Sequence, residues 1–172
     1  MTTAYKGFDG DDYAQIGGSG DSAKIGTSGD FVQIGTSGYN DKIGASGKFA
    51  QIGSSGDNVQ IGASGDYSKI VASGDYGKIG ASGKGAKIGV SGKGAKIGAS
   101  GKFAKIDCSG LGAVVAGAGH DARVRGKVGT WISLASFDGD GKCNGFGTGC
   151  IGQDGLEPDT WYRAEAGKLV KA

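Results

Sequence analysis

The sequence predicts an all-β fold: a flattened parallel β-solenoid, two nonapeptides (18 residues) per coil, closed by a small C-terminal β cap. Three observations carry this. Isoleucine recurs every nine residues from Ile16 through Ile25 and Ile34 to Ile106. A Ser-Gly pair follows each one at a fixed offset, from Ser19-Gly20 to Ser109-Gly110, so the unit reads I-G-x-S-G-[DK]-x-[AV]-[KQ]. The 172 residues include 39 glycines and a single proline, and an isoleucine every nine residues, nearly always with glycine beside it, cannot sustain a helical stripe. A fixed short period is the mark of a stacked repeat protein.

The chain divides into an N-terminal cap at 1–15, the repeats at 16–124 and a C-terminal region at 125–172. The first segment has neither a basic nor an apolar leader region, and no run reaches the ~18 apolar residues of a membrane span. A soluble, cytoplasmic protein with no membrane association is expected.

Within each repeat the residues around the isoleucine alternate small apolar, polar, apolar, as in Ala23-Lys24-Ile25, Val32-Gln33-Ile34 and Ala104-Lys105-Ile106. Period two puts the first and third residues inside a short strand and the Lys or Gln outside. The following G-x-S-G is corner chemistry, because glycine opens backbone angles closed to other residues and serine bonds nearby backbone groups. One extended unit spans only about 30 Å, too little to round two corners between sheets about 10 Å apart, whereas two units suffice.

The second residue after each Ser-Gly pair tests that pairing. Taken alternately, one series reads Tyr13, Phe31, Phe49, Tyr67, Gly85, Phe103 and the other Ser22, Asn40, Asn58, Tyr76, Gly94, Gly112. Aromatics crowd into one series, and grouping by three gives no such separation. About six coils are expected, with isoleucines from both faces meeting inside, each worth roughly 1.5–3 kcal/mol when fully buried. Asp41 is the one charged residue in the small inward column, and a bulge or an outward-turned corner is expected there.

The repeat decays over Val115–Val124, which loses the serine, and the composition then changes. GKVGTWISLASFD and DTWYRAEAGKLVKA read as strands, with DGDGK and AEAGK as tight turns. Such a cap covers the open edge of the last coil, which would otherwise invite another strand.

Charge is polarised along the chain. Residues 1–77 hold nine Asp against five Lys, residues 78–127 ten Lys and Arg against two Asp, and residues 128–172 four cations against six carboxylates. The basic zone supplies a candidate partner-binding band, Lys84, Lys87, Lys93, Lys96, Lys102, Lys105, Arg123 and Arg125, suited to phosphate backbones or an acidic protein. The competing reading is that lysine keeps β surfaces soluble. The aromatic series Tyr13, Phe31, Phe49, Tyr67 and Phe103 is a candidate dimer seam or docking strip, or a platform for stacking sugars or bases, unless its rings fold back over the corner.

Other chemistry is thin. Asp after Ser-Gly (Asp21, Asp30, Asp57, Asp66, Asp75) has the period of calcium-binding nonapeptide rolls, but Lys48, Lys84, Lys93 and Lys102 share its column, and an ammonium cannot replace a ligand carboxylate. DGDGK lacks the remaining ligands of a calcium loop and reads as a turn. His120 is the only histidine, so a histidine-ligated zinc or a catalytic triad must pass through it, and no partner set is spaced for either. Cys108, Cys143 and Cys150 are too few for a disulfide scaffold, so reduced thiols are expected, with a Cys143–Cys150 pairing left open. No catalytic residues, metal or cofactor are expected.

The repeat, followed by Gly129-Thr-Trp131-Ile-Ser-Leu-Ala135 and Pro158-Asp-Thr-Trp161-Tyr-Arg163, resembles a group of phage and prophage proteins built on I-G-S-S-G-D-Y-A-K arrays. The resemblance covers nearly the whole chain. It implies a β-solenoid of viral or mobile-element origin and transfers no functional residues. The expectation is a non-enzymatic, homodimeric interaction protein that binds a host protein or nucleoprotein complex, with nucleic acid as a partner and inhibition of a bacterial defence system as its setting. The alternative is a structural or adhesive virion component that uses the aromatic strip on carbohydrate.

Overall fold

The computed structural model describes residues 5–8, as backbone, and 11–172. Strands β1 (Tyr5–Phe8), β2 (Gln15–Gly18) and β3 (Lys24–Thr27) open the rod, and a four-residue strand then returns every nine residues up to β14 (Arg123–Gly126). Odd-numbered strands stack into one sheet and even-numbered strands into the other, all parallel; from β2 to β14 each is hydrogen-bonded to its equivalent 18 residues away, as Ile16 to Ile34 and Ile25 to Ile43, and β1 pairs with β3 at an offset of 19. The fold is a two-sheet parallel β-solenoid. It has seven coils where about six were expected, because β1 is already in register with β3 and the degenerate segment forms two regular strands. There Val115 and Val124 take the isoleucine register, opposite Ile97 and Ile106.

The core is the isoleucine ladder of both sheets with its small Ala and Val neighbours, all buried. One polar ladder joins it, where the Thr36 hydroxyl donates to Ser54 Oγ at 3.0 Å. Asp41 departs from expectation: it is fully buried, and the following strand keeps a regular register, so neither a bulge nor an outward turn exposes it. Its Oδ1 accepts the Ala23 N–H at 2.9 Å, which gives the carboxyl one inward partner.

Two glycine columns serve different ends. At the corner glycine of Ser-Gly, a Cβ on Gly47 would collide with the carbonyl oxygen of Gly29 in the preceding coil, and the collision recurs along the rod. Close coil stacking, and not an unusual backbone angle, demands glycine there. The glycine after each isoleucine points outward, and a Cβ on Gly26, Gly44 or Gly62 would meet nothing within 4 Å. The left-handed position is instead the aromatic column, where Tyr13, Phe31, Phe49, Tyr67 and Phe103 all have φ between 57° and 64°.

The C-terminal end is closed on both sheets. β15 (Trp131–Phe137) adds parallel to the odd sheet and pairs antiparallel with β16 (Cys143–Cys150). β17 (Tyr162–Glu165) adds antiparallel to β14 and turns through Ala166-Gly167 into β18 (Lys168–Lys171). The glycine-rich β16 was not legible as a strand. Its glycines admit neighbours, since a Cβ on Gly147 would lie 2.7 Å from the Lys168 backbone and one on Gly149 2.5 Å from the Leu156 side chain.

Candidate functional site

Every corner is stitched in two directions. The left-handed residue donates its N–H to the next coil, as Phe31 to the Lys48 carbonyl at 2.9 Å and Tyr67 to the Lys84 carbonyl at 2.7 Å. Where Asp precedes it, the carboxylate accepts a backbone N–H from the next coil: Asp30 Oδ1 from Lys48 at 2.6 Å, Asp66 Oδ1 from Lys84 at 2.7 Å, Asp75 Oδ1 from Lys93 at 2.7 Å. The Asp column is thus a cap on the neighbouring backbone, a role that spacing alone did not disclose.

The aromatic series lies along one corner and splits into two parts. Tyr13, Phe31, Phe49 and Tyr67 form a continuous stack with centroids 4.9–5.4 Å apart and planes within 12°. Phe103 stands apart beyond Gly85, under the Lys84 ammonium at 5.8 Å from its ring centre. The five rings are 41–71% exposed, so they do not fold back over the corner. In the stack of four the faces are turned to one another. A left-handed backbone costs of order 1–3 kcal/mol for such a residue, while each stacked pair returns roughly 0.5–1.5 kcal/mol.

The eight basic residues do not share one surface. Lys84 and Lys102 stand on the aromatic corner, Lys93 on the opposite corner and Lys96 on the odd sheet. Arg125 is engaged inside the chain, in a two-pronged ion pair with Asp107 and with its guanidinium 5.0 Å from the Trp161 ring. The hydrogen bond to Asp107 holds its pKa above the ordinary arginine value.

Lys87, Lys105 and Arg123 do come together, and they do so with Lys69. Lys69 faces Lys87, Lys87 faces Lys105 and Lys105 faces Arg123 across consecutive rungs of the even sheet. All four are exposed, and among the described residues none enters an ion pair. The same column begins with Gln15, Gln33 and Gln51, so cations occupy only its C-terminal half. Like charges at facing positions on strands about 4.8 Å apart repel.

His120 sits where the last corner meets the cap, its Nδ1 3.0 Å from Asp121 Oδ2 and its ring 5.1 Å from Phe137. Asp138, Arg163 and Glu165 line the same shallow cleft of about 350 Å³, and Arg163 is paired with Glu165 at 3.0 Å. Among the described residues no three His, Cys, Asp or Glu side chains are grouped as metal ligands. All three cysteines are free: Cys143 and Cys150 begin and end one eight-residue strand, about 24 Å apart, and cannot pair. Burial, reinforced by the adjacent Asp107, pushes the Cys108 thiol up to about 12.

No protein-family model, curated protein or solved structure matches the chain. Among the described residues no helix is long and apolar enough to cross a membrane.

Proposed function

We propose that this chain is a non-catalytic interaction protein that binds the phosphate backbone of a nucleic-acid-bearing host complex through its even sheet. The carrying observation is the row Lys69, Lys87, Lys105, Arg123: four exposed cations in register, unpaired, and mutually repulsive until an anion lies along them. Like charges directly opposite destabilise a sheet, so the row makes most sense as a surface completed by a polyanion. The sequence resemblance to phage and prophage proteins supports a setting inside an infected bacterial cell, with a defence complex as the target.

Carbohydrate adhesion is the weaker reading. Sugars and bases stack on ring faces, and the faces of Phe31 and Phe49 are already occupied by neighbouring rings.

The test is fluorescence anisotropy with a labelled duplex or single strand across 50–200 mM salt. Four phosphate contacts give a slope of about −3 to −4 in log K against log salt. Lys87→Glu with Lys105→Glu removes binding and flattens that slope, while Lys24→Glu with Lys42→Glu on the odd sheet leaves it intact. Binding that ignores salt, or that survives the first pair of substitutions, rejects the proposal.

A further inference from the structure

The aromatic corner carries a charged residue immediately before each of its first six left-handed positions, and its seventh, Asp121, follows His120 beside the cap. Along the rod the six charged residues are Asp12, Asp30, Lys48, Asp66, Lys84 and Lys102. Read from the other end, the order is Lys, Lys, Asp, Lys, Asp, Asp, opposite in sign at every rung. We infer that two copies of this chain pair edge to edge along this corner, antiparallel, about a two-fold axis crossing it between the Phe49 and Tyr67 rungs.

That axis sets Asp12 against Lys102 of the second copy, Asp30 against Lys84 and Lys48 against Asp66, each combination occurring twice. The rings follow the same symmetry: Tyr13 meets Phe103, Phe49 meets Tyr67, and Phe31 comes over Gly85, the one rung without a side chain of its own. An isologous interface requires this self-complementarity. Parallel pairing would oppose like with like at every rung. The opposite corner lacks the property: its column reads Asp21, Tyr39, Asp57, Asp75, Lys93, Leu111, and inversion drives Asp57 onto Asp75.

Nothing within one chain uses these charges as ion pairs. Among the described residues none of the six forms a salt bridge, and Asp12, Asp30 and Asp66 each commit one carboxylate oxygen to the next coil's backbone, which fixes their position. The fold does not need rings here either, because Asn40, Asn58, Gly94 and Gly112 take the same left-handed position on the opposite corner. Aromatic residues fill five left-handed positions of this exposed corner and only one, Tyr76, of the opposite corner, and this concentration, at a cost in backbone strain, marks it as a contact surface.

Six rungs about 4.8 Å apart make a strip about 25 Å long and 10–15 Å wide, roughly half the ~800 Å² per partner of a standard interface. The dimer is therefore weak, reversible and salt-sensitive, with a Kd in the micromolar range or above. Sedimentation equilibrium from 5 to 500 µM protein at low salt is the measurement. Lys84→Glu with Lys102→Glu is monomeric, as is Asp12→Lys with Asp30→Lys, and an equimolar mixture of the two recovers dimer, because each like-charge contact becomes an opposite one. Asp30→Asn retains the acceptor for Lys48 N–H and weakens dimerisation at least threefold, which separates charge from folding. A wild type that stays monomeric, a dimer indifferent to these variants, or a mixture that fails to re-associate overturns the inference. None of these outcomes depends on nucleic acid, since the cation row lies on a sheet face away from this corner.

Discussion

Asp41 Oδ1 accepts the amide of Ala23 one coil away at 2.9 Å, while Oδ2 of the same carboxyl is sealed from solvent without a partner. Burying such a group costs free energy that one hydrogen bond only partly offsets. Asp41→Asn keeps the acceptor on an uncharged side chain. It is expected to raise stability by about 1–2 kcal/mol, a few degrees in Tm. Asp41→Ala strips the Ala23 amide of its acceptor and gains less than Asn. Urea melts of the three proteins check this, and an Asn variant no more stable than wild type would refute it.

The two glycine columns give opposite answers to one substitution. Gly65→Ala drives a Cβ into the carbonyl of Gly47 and is expected to cost at least ~3 kcal/mol or to prevent folding. Gly62→Ala, three residues earlier, enters open space and is expected to be neutral or to stabilise by about 0.4–1 kcal/mol, since alanine has less backbone entropy to lose. Denaturant midpoints for the pair decide it, and equal losses would mean that the outward column is sterically constrained after all.

Cys108 makes stability depend on alkaline pH. Its thiol is raised from an ordinary value of 9.0 to about 12, chiefly by burial. A folded pKa above the unfolded one means that the contribution is whole below pH 9, where both states hold the proton. It is lost between pH 9 and pH 12, where the unfolded chain ionises first. Wild type should weaken by several kcal/mol across that window, and Cys108→Ala should show a shallower decline. At pH 8, iodoacetamide should modify exposed Cys143 and spare Cys108 until urea unfolds the chain. Equal alkylation rates for the two would contradict the burial that drives the shift.

The scaffold was legible because its information is periodic. The nine-residue isoleucine spacing announces the ladder, and alternate units separate a ring-bearing corner from a polar one. The same alternate reading of the Lys/Gln column gives Gln15, Gln33, Gln51, Lys69, Lys87, Lys105, Arg123, so Lys69 could have been found the same way. Counting charge by chain segment instead merged residues from two sheets and two corners into one band. What spacing could not reveal were contacts made across coils: the Asp side chains that cap the next backbone, the Asp107–Arg125 pair under Trp161, and the inward Asp41. Asn40, Asn58, Gly94 and Gly112 at the equivalent position of the opposite corner were a readable sign of a left-handed backbone. β16 stayed hidden because its glycines answer to Leu156 and the Lys168 backbone, which lie far along the chain.

Because each strand of the repeats from β2 to β14 bonds to its equivalent 18 residues away, the rod has a parity. Duplicating or deleting one nonapeptide would send every later strand to the other sheet, exchange the ring-bearing corner for the polar one from that point on, and deliver the cap half a turn out of place. Only even numbers of units conserve what is displayed on each side. The length of such a rod is therefore quantised in whole coils, and each added coil lengthens it by about 4.8 Å without rewriting its faces.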